Sequence, residues 1–167
     1  MDPRLDIIFA RRSIRAYSTE PVSEDDIQSL LQAGMAAPSA SNRQPWHFVV
    51  ITDRQQLRAL ADVHPYGKMI ADAGLGIAVC GDPQASDMWV QDCSAATENI
   101  LIAVAGLGLG GVWLGCHGRP ERERAVRQVL GIPERFGVLS LLSIGHPGEE
   151  KPPRTQYDPS RVHRQAW

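Results

Sequence analysis

Apolar positions along the chain recur with two periods, and the switches between them mark the elements. Leu5, Ile8 and Phe9 stand at helical spacing before the basic run Arg11-Arg12-Ser13-Ile14-Arg15. A second helix is predicted after Pro21 and Ser23, with Ile27, Leu30, Leu31 and Met35 as its apolar stripe. Ser23 and Asp26 fit a capping box at its start, and Pro38 ends it. A polar loop follows, and residues 47–52 read as a strand. Asp53 can cap a third helix whose inward residues are Leu57, Leu60 and Ala61; a short helix is expected after Tyr66-Gly67-Lys68. Residues 76–80 read as a buried strand, and Trp89, Cys93, Ile100, Leu101 and Val104 share one face of a long central helix. Glycines 106, 108, 110 and 111 break that helix before the apolar strand 112–114. Pro120 suits the first turn of a helix running through Ala125, Val126, Val129 and Leu130, with Gly131 as its stop. Residues 138–144 form the last clear strand, and from Pro147 the sequence is polar and proline-rich, ending in Trp167. Helices precede the first strand and alternate irregularly afterwards, so the pattern predicts α+β or mixed α/β architecture.

Composition narrows the function classes. With 167 residues the chain fits one compact domain, and 43% apolar content excludes a disordered one. Seventeen basic side chains against 19 acidic ones, net charge −2, argue against a basic nucleic-acid binder or a polybasic membrane binder. Fifteen of the basic residues are Arg, and only Lys68 and Lys151 are Lys. That bias fits phosphate or carboxylate recognition, and it fits codon usage equally well. Three widely spaced cysteines form no CxxC pair, and the N-terminus carries no signal-peptide pattern, so a reducing, cytoplasmic setting is expected. The charge-free stretch 99–116 contains five glycines and changes period halfway, which predicts a buried helix and then a buried strand rather than a membrane span.

Gly106, Gly108 and Gly111 match G-x-G-x-x-G, but a dinucleotide fingerprint needs a strand before the glycines and a helix after them. Here the order is reversed, which predicts a helix C-terminus with close backbone packing. If residues 11–15 are extended, Arg11, Ser13 and Arg15 share one face and could meet a phosphate and a polar ring edge; a solvated basic turn is the other reading. Between two prolines, Ser39, Ser41, Asn42 and Gln44 offer compact hydrogen-bonding groups immediately before a strand. Cys116 beside His117 has no partner ligands at metal-finger spacing, so no metal site is expected. No nucleophile elbow is present, the remaining histidines are scattered, and the alternating charges between Arg119 and Arg127 describe a solvated helix face.

Taken together and in order, these segments resemble the FMN-dependent nitroreductases. Residues 11–15 look like the family's N-terminal phosphate and flavin motif, and residues 38–46 resemble its second motif, which binds flavin from the partner subunit. Their spacing, the Trp113-Leu114-Gly115 segment and Ile144-Gly145-His146-Pro147 also match, so the resemblance spans essentially the whole chain in the short, single-domain form. It implies a single flavin-binding domain over residues 1–167 with an α+β fold: a mixed, mainly antiparallel sheet flanked by helices, in an intertwined homodimer with FMN sites at the interface. Residues 147–167 are expected to extend onto the partner. By the same resemblance Arg11, Arg12 and Ser13 contact the phosphate and ribityl region, and Arg15 lies at the pyrimidine end of the ring. Pro38, Ser39, Ala40, Asn42 and Gln44 arrive from the other subunit, backbone at Trp113, Leu114 and Gly115 approaches flavin N5, and Lys68 and Arg154 complete the set. One departure stands out: the C-terminal pair of basic residues common in relatives reads Arg154-Thr155-Gln156 here, with Lys151 as a possible substitute for the missing charge.

The activity implied is hydride transfer from NADH or NADPH to FMN, then reduction of a nitroaromatic, quinone or similar electrophilic small molecule by a ping-pong mechanism, with Arg15 supporting the reduced ring. No side chain need serve as an obligatory acid or base. A flavin-binding sensor or storage protein would share every motif, and a reductive dehalogenase-like enzyme would share the fold, although 167 residues leave little room for that enzyme's lid.

Overall fold

The computed structural model describes residues 2–167. Its α-helices and strands follow the predicted order: α1 (Asp6–Ala10), α2 (Glu24–Met35), β1 (Trp46–Ile51), α3 (Arg54–Val63), β2 (Leu75–Gly81), α4 (Trp89–Gly106), β3 (Gly110–Gly115), α5 (Pro120–Leu130) and β4 (Gly137–Gly145). Short 3-10 turns occur at Pro3–Leu5, Ala40–Asn42, Lys68–Asp72 and Pro159–Arg161. Local chemistry sets the helix boundaries. Ser23 Oγ accepts the Asp26 N–H at 3.1 Å and donates to the Asp26 carboxylate at 2.7 Å. Asp53 Oδ1 accepts from the amides of Gln55 and Gln56, and Gly131 closes α5 in the left-handed conformation (φ 65°). In α2, Ile27 and Leu30 are buried as expected but Met35 is exposed. Gly34 takes the inward place instead, because α2 crosses α4 so closely that a Cβ there would sit 3.0 Å from Ile100.

The sheet has strand order β1-β2-β4-β3, and every hydrogen-bonded pair is antiparallel. The expected mixed sheet is therefore corrected. The long helix α4 returns the chain so that β2 and β3 run the same way, but β4 inserts between them and is antiparallel to both. Among the described residues the parallel pairing is confined to an isolated bridge between Ser13 and Gly111.

Both faces of the sheet are covered, which explains the unbroken apolar run of β2. Leu75, Ile77 and Val79 join α2 and α4 in one cluster. Ala78 and Cys80 face the other way into a cluster with Leu57 and Leu60 of α3 and Val126 of α5. The alternation slips once. Val79 pairs with Ser140 and Cys80 with Val138, leaving Leu139 as the extra residue of a bulge. Leu139 turns its side chain into the α4 cluster, and its carbonyl accepts both the Cys116 N–H at 3.1 Å and the His117 N–H at 3.0 Å. That double acceptance ends β3 at Gly115.

Where β2 meets β4, Trp89 fills the space above Gly81 and Gly137, and a Cβ on either glycine would overlap its ring. Gly137→Ala should therefore destabilise the fold by about 1–3 kcal/mol through overpacking. The measurement is chemical denaturation, and in a Trp89→Leu background the added cost of Gly137→Ala should be small.

Candidate functional site

The basic strip after α1 is extended, as the alternation requires, and the edge of the sheet holds it there. Ile14 donates its N–H to the Gly111 carbonyl at 3.0 Å, and Gly148 donates to Ala16 at 2.8 Å. The Tyr17 hydroxyl lies 2.9 Å from both the Ile14 and the Ser143 carbonyls, and burial pushes its pKa up to about 12. The phenol thus stays a donor and ties the strip to β4.

Beyond the end of β3 lies an open hollow of about 490 Å³. Trp113, Leu114 and Gly115 line it from the strand, Arg15 from the basic strip, and Lys68 and Met69 from the turn after α3. His64, Pro65 and Tyr66 complete the wall. No Asp or Glu borders it, and neither Arg15 nor Lys68 has a side-chain partner among the described residues. Gly115 faces open space. Four groups of the predicted site, Arg15, Lys68, Trp113-Leu114 and Gly115, thus converge from three distant parts of the chain.

The other basic residues gather elsewhere. Arg11, Arg12 and Lys151, together with Glu149 and Glu150, line a smaller hollow of about 160 Å³ between the strip, α4 and the segment after β4. All three basic residues are paired within the chain. Arg11 meets Glu98 at 3.2 Å, Arg12 donates to the Pro152 carbonyl, and Lys151 donates to Ser13 O at 2.7 Å and to Glu149 at 3.0 Å. Glu149 also accepts the Arg15 N–H at 2.6 Å, and these two donors hold its carboxyl below the ordinary value. Arg154 is exposed, anchored through its own N–H to the Phe9 carbonyl at 2.9 Å, and Gln156 is exposed beside it.

The loop carrying Pro38, Ser39, Ala40, Asn42 and Gln44 borders neither hollow of its own chain. Its backbone is unusual: Ser41, Asn42 and Gln44 have φ of 50°, 53° and 48°. Left-handed backbone at a residue bearing a Cβ costs on the order of 1–3 kcal/mol and collects at functional sites.

Sequence reasoning missed His64, which is buried at the end of α3 although its neighbours line the hollow. Its Nδ1 accepts the Tyr66 N–H at 3.3 Å, so the ring proton sits on Nε2, 3.3 Å from the Gly115 carbonyl. Burial lowers its pKa, opposed by the Gly115 hydrogen bond and reinforced by the Arg122 charge. Nothing in the spacing links residue 64 to residue 115. The charged face of α5 also needs correction. Arg122 donates to the same Gly115 carbonyl at 3.3 Å and stacks over Tyr66 at 5.1 Å, while Arg127 grips the carbonyls of Pro133 at 2.6 Å and Phe136 at 2.8 Å. Arg127 uses both terminal nitrogens of its guanidinium as a fork, which Lys could not replace, and Arg122 adds one hydrogen bond and a stacking contact. Cys116 is buried, with its thiol pushed up to about 12, and the described residues hold no cluster able to ligate a metal.

The chain is a helix-covered antiparallel sheet with a cation-flanked hollow at one strand end. The model of the nitroreductase family matches residues 8–65 and 61–146. An Archaeoglobus fulgidus protein with the provisional name NADH dehydrogenase/NAD(P)H nitroreductase is 48% identical, covering 100% of both chains. A provisionally named nitroreductase of Desulfovibrio desulfuricans, solved in complex with FMN, superposes with TM-score 0.84 at 31% identity over 100% of this chain and 99% of that one. The NADPH:FMN oxidoreductase of Vibrio harveyi, solved with NAD+, gives TM-score 0.87 at 27% identity over 98% and 77%. The chain belongs to the nitroreductase family, a family of oxidoreductases.

The His64 geometry carries a pH signature. Because its pKa in the fold lies below 6.5, the unfolded chain binds the extra proton first. Stability should hold above pH 6.5 and fall as pH drops below it until the folded pKa is passed, with a slope of at most about 1.4 kcal/mol per pH unit. His64→Gln, which keeps a donor and an acceptor but does not titrate, should flatten that part of the profile in thermal melts.

Proposed function

We propose that this chain is an FMN-dependent oxidoreductase that takes hydride from NADH or NADPH and reduces nitroaromatic, quinone or similar electrophilic acceptors. The observation that carries the reading is the hollow at the end of β3, bordered by two partnerless cations and no carboxylate. The residues present fit the cofactor. Arg15 and Lys68 would meet the polar edge of the ring, and the open face of Gly115 admits the ring close to backbone at Trp113 and Leu114. Arg11, Arg12 and Lys151 would hold the phosphate by exchanging their present partners, Glu98, the Pro152 carbonyl and Glu149, for it, with Ser13 on the ribityl chain and Arg154 from the C-terminal segment. Bound FMN supplies the redox chemistry, accepting a hydride and passing electrons on.

The protein's own part is position and charge. Arg15 places a positive charge where negative charge gathers during reduction. His64 and Arg122 together fix the Gly115 carbonyl, and so hold the end of β3 against the ring. The hollow is open, so donor and acceptor use one face in turn, which is the basis of ping-pong kinetics.

The functional unit in this reading is a homodimer with two interfacial FMN sites. The loop bearing Pro38, Ser39, Ala40, Asn42 and Gln44 is exposed and borders neither hollow of its own chain, as expected if it serves the partner's flavin. Leu5 before α1, Ile7 and Ile8 of α1 and Leu107 after α4 are exposed apolar residues suited to burial by a second copy. One flavin-binding domain then spans residues 1–167, and the segment 147–167, ending in a fully exposed Trp167, packs on the partner. Three buried, unpaired thiols support a reducing, cytoplasmic setting, and no helix among the described residues is long and apolar enough to cross a membrane.

Anaerobic mixing of the FMN-loaded protein with NADH or NADPH should bleach the flavin, and the faster donor gives the nucleotide preference. A protein that binds no added FMN, or one whose flavin neither donor bleaches, contradicts the assignment. Arg15→Ala should slow flavin reduction by about 100-fold while changing FMN affinity far less. Stopped-flow absorbance and flavin titration separate the two. Light scattering of the flavin-loaded protein should give twice the 18.3 kDa chain mass, and a monomeric mass would sink the interfacial site.

A further inference from the structure

The loop with three left-handed residues raises the question of what holds it. Its internal hydrogen bonds, Asn42 N–H to Ser39 O and Gln44 N–H to Ser39 Oγ, both 3.0 Å, close small turns within the loop itself. Two others anchor it to the body of the domain. At the far end Asp82 donates to the Pro45 carbonyl at 2.9 Å, extending the β1–β2 pairing. At the near end the Ala40 N–H donates to Asp92 Oδ1 at 2.9 Å.

Asp92 is buried, in the first turn of α4, where the exposed amides of the helix start favour a negative charge. Its second oxygen accepts the Ser86 hydroxyl at 2.9 Å, and Ser86 is itself fully buried and accepts the Met88 N–H at 3.2 Å. Two donors converge on this side chain, and a carboxylate has an acceptor for each. Asp92 borders neither hollow of its own chain. Its single outward connection is to the backbone of the loop.

We propose that Asp92 is a positioning residue for the cofactor: by clamping the Ala40 N–H it keeps Ser41, Asn42 and Gln44 in their left-handed conformation. Asn42 and Gln44, joined by a 3.1 Å side-chain hydrogen bond, are then presented to flavin already arranged. Preorganisation of this kind removes an ordering cost from binding. The inference rests on the reading that this loop contacts FMN, and it adds the residue that holds the loop ready.

The test compares Asp92→Ala, Asp92→Asn and Asp92→Ala combined with Ser41→Gly. FMN titration, amide hydrogen exchange over residues 40–44 and thermal melts are the readouts. Asp92→Ala should weaken FMN binding about tenfold or more and speed exchange at Ala40, because a buried charged hydrogen bond is lost. Asp92→Asn, with one acceptor for two donors, should weaken it about threefold. Ser41→Gly adopts positive φ without a Cβ penalty, so in the Asp92→Ala background it should recover about threefold of the lost affinity. A purely structural role for Asp92 in α4 would show no such recovery. If Asp92→Ala does not fold, the same recovery is sought on Asp92→Asn. FMN affinity within about twofold of the parent in Asp92→Ala, or no tightening by Ser41→Gly, overturns the proposal. If the parent itself binds no FMN, the functional reading fails, and unchanged exchange at Ala40 in Asp92→Ala then separately overturns the clamp.

Discussion

One carbonyl, that of Leu139, sets where the chain leaves the sheet and the hollow at the end of β3 opens. A sheet covered on both faces offers a ligand only its strand ends and edges. Because Leu139 is the extra residue of a bulge, its oxygen faces two successive amides, Cys116 and His117, and β3 cannot continue past Gly115. The chain leaves the sheet there and opens the hollow, and the freed Gly115 carbonyl is taken up by His64 and Arg122. Core packing, strand register and pocket wall thus meet at one irregularity.

The electrostatic arrangement follows from that geometry. Arg15 comes to the hollow because the basic strip pairs with Gly111 at the other end of β3, and Tyr17 locks the strip to β4. The cations nearest the hollow are left without partners, whereas those further along the strip are each matched by Glu98, Glu149 or a carbonyl. Arg15 and Lys68 are both exposed, so water satisfies them in the open hollow and an anionic or electron-poor ligand can meet them without breaking an ion pair. The two hollows thus differ: among the described residues the cations of the first have no side-chain partner, whereas those of the second are already engaged.

Sequence patterning made most of the fold legible, because the signals were local: the Ser23 and Asp53 caps, the Gly131 stop, the apolar stripe of α4 and the strand periods all act within a few residues. The sheet's pairing was not local, and the insertion of β4 between β2 and β3 escaped the pattern for that reason. The same division holds at the hollow. The extended strip, Lys68 and the Trp113-Leu114-Gly115 segment were recognisable as contiguous motifs. His64, Arg122, Glu149 and Asp92 were not, since each acts on backbone between seven and 134 residues away. Arg122 and Arg127 read as solvated charges because a helix-face pattern does not reveal which carbonyls lie beneath it.

The place of β4 also governs how the chain reaches its folded state. Two of the three strand ladders involve this last strand, and β2 and β3 share none without it. A chain emerging from the ribosome can form its helices and the β1–β2 hairpin-like pair early, yet the central cavity of the sheet stays open until residue 145 has been made. Until then α4 can rest on β2, but β3 has no strand partner, and an unpaired apolar strand is the part of this small domain most open to misassociation during synthesis.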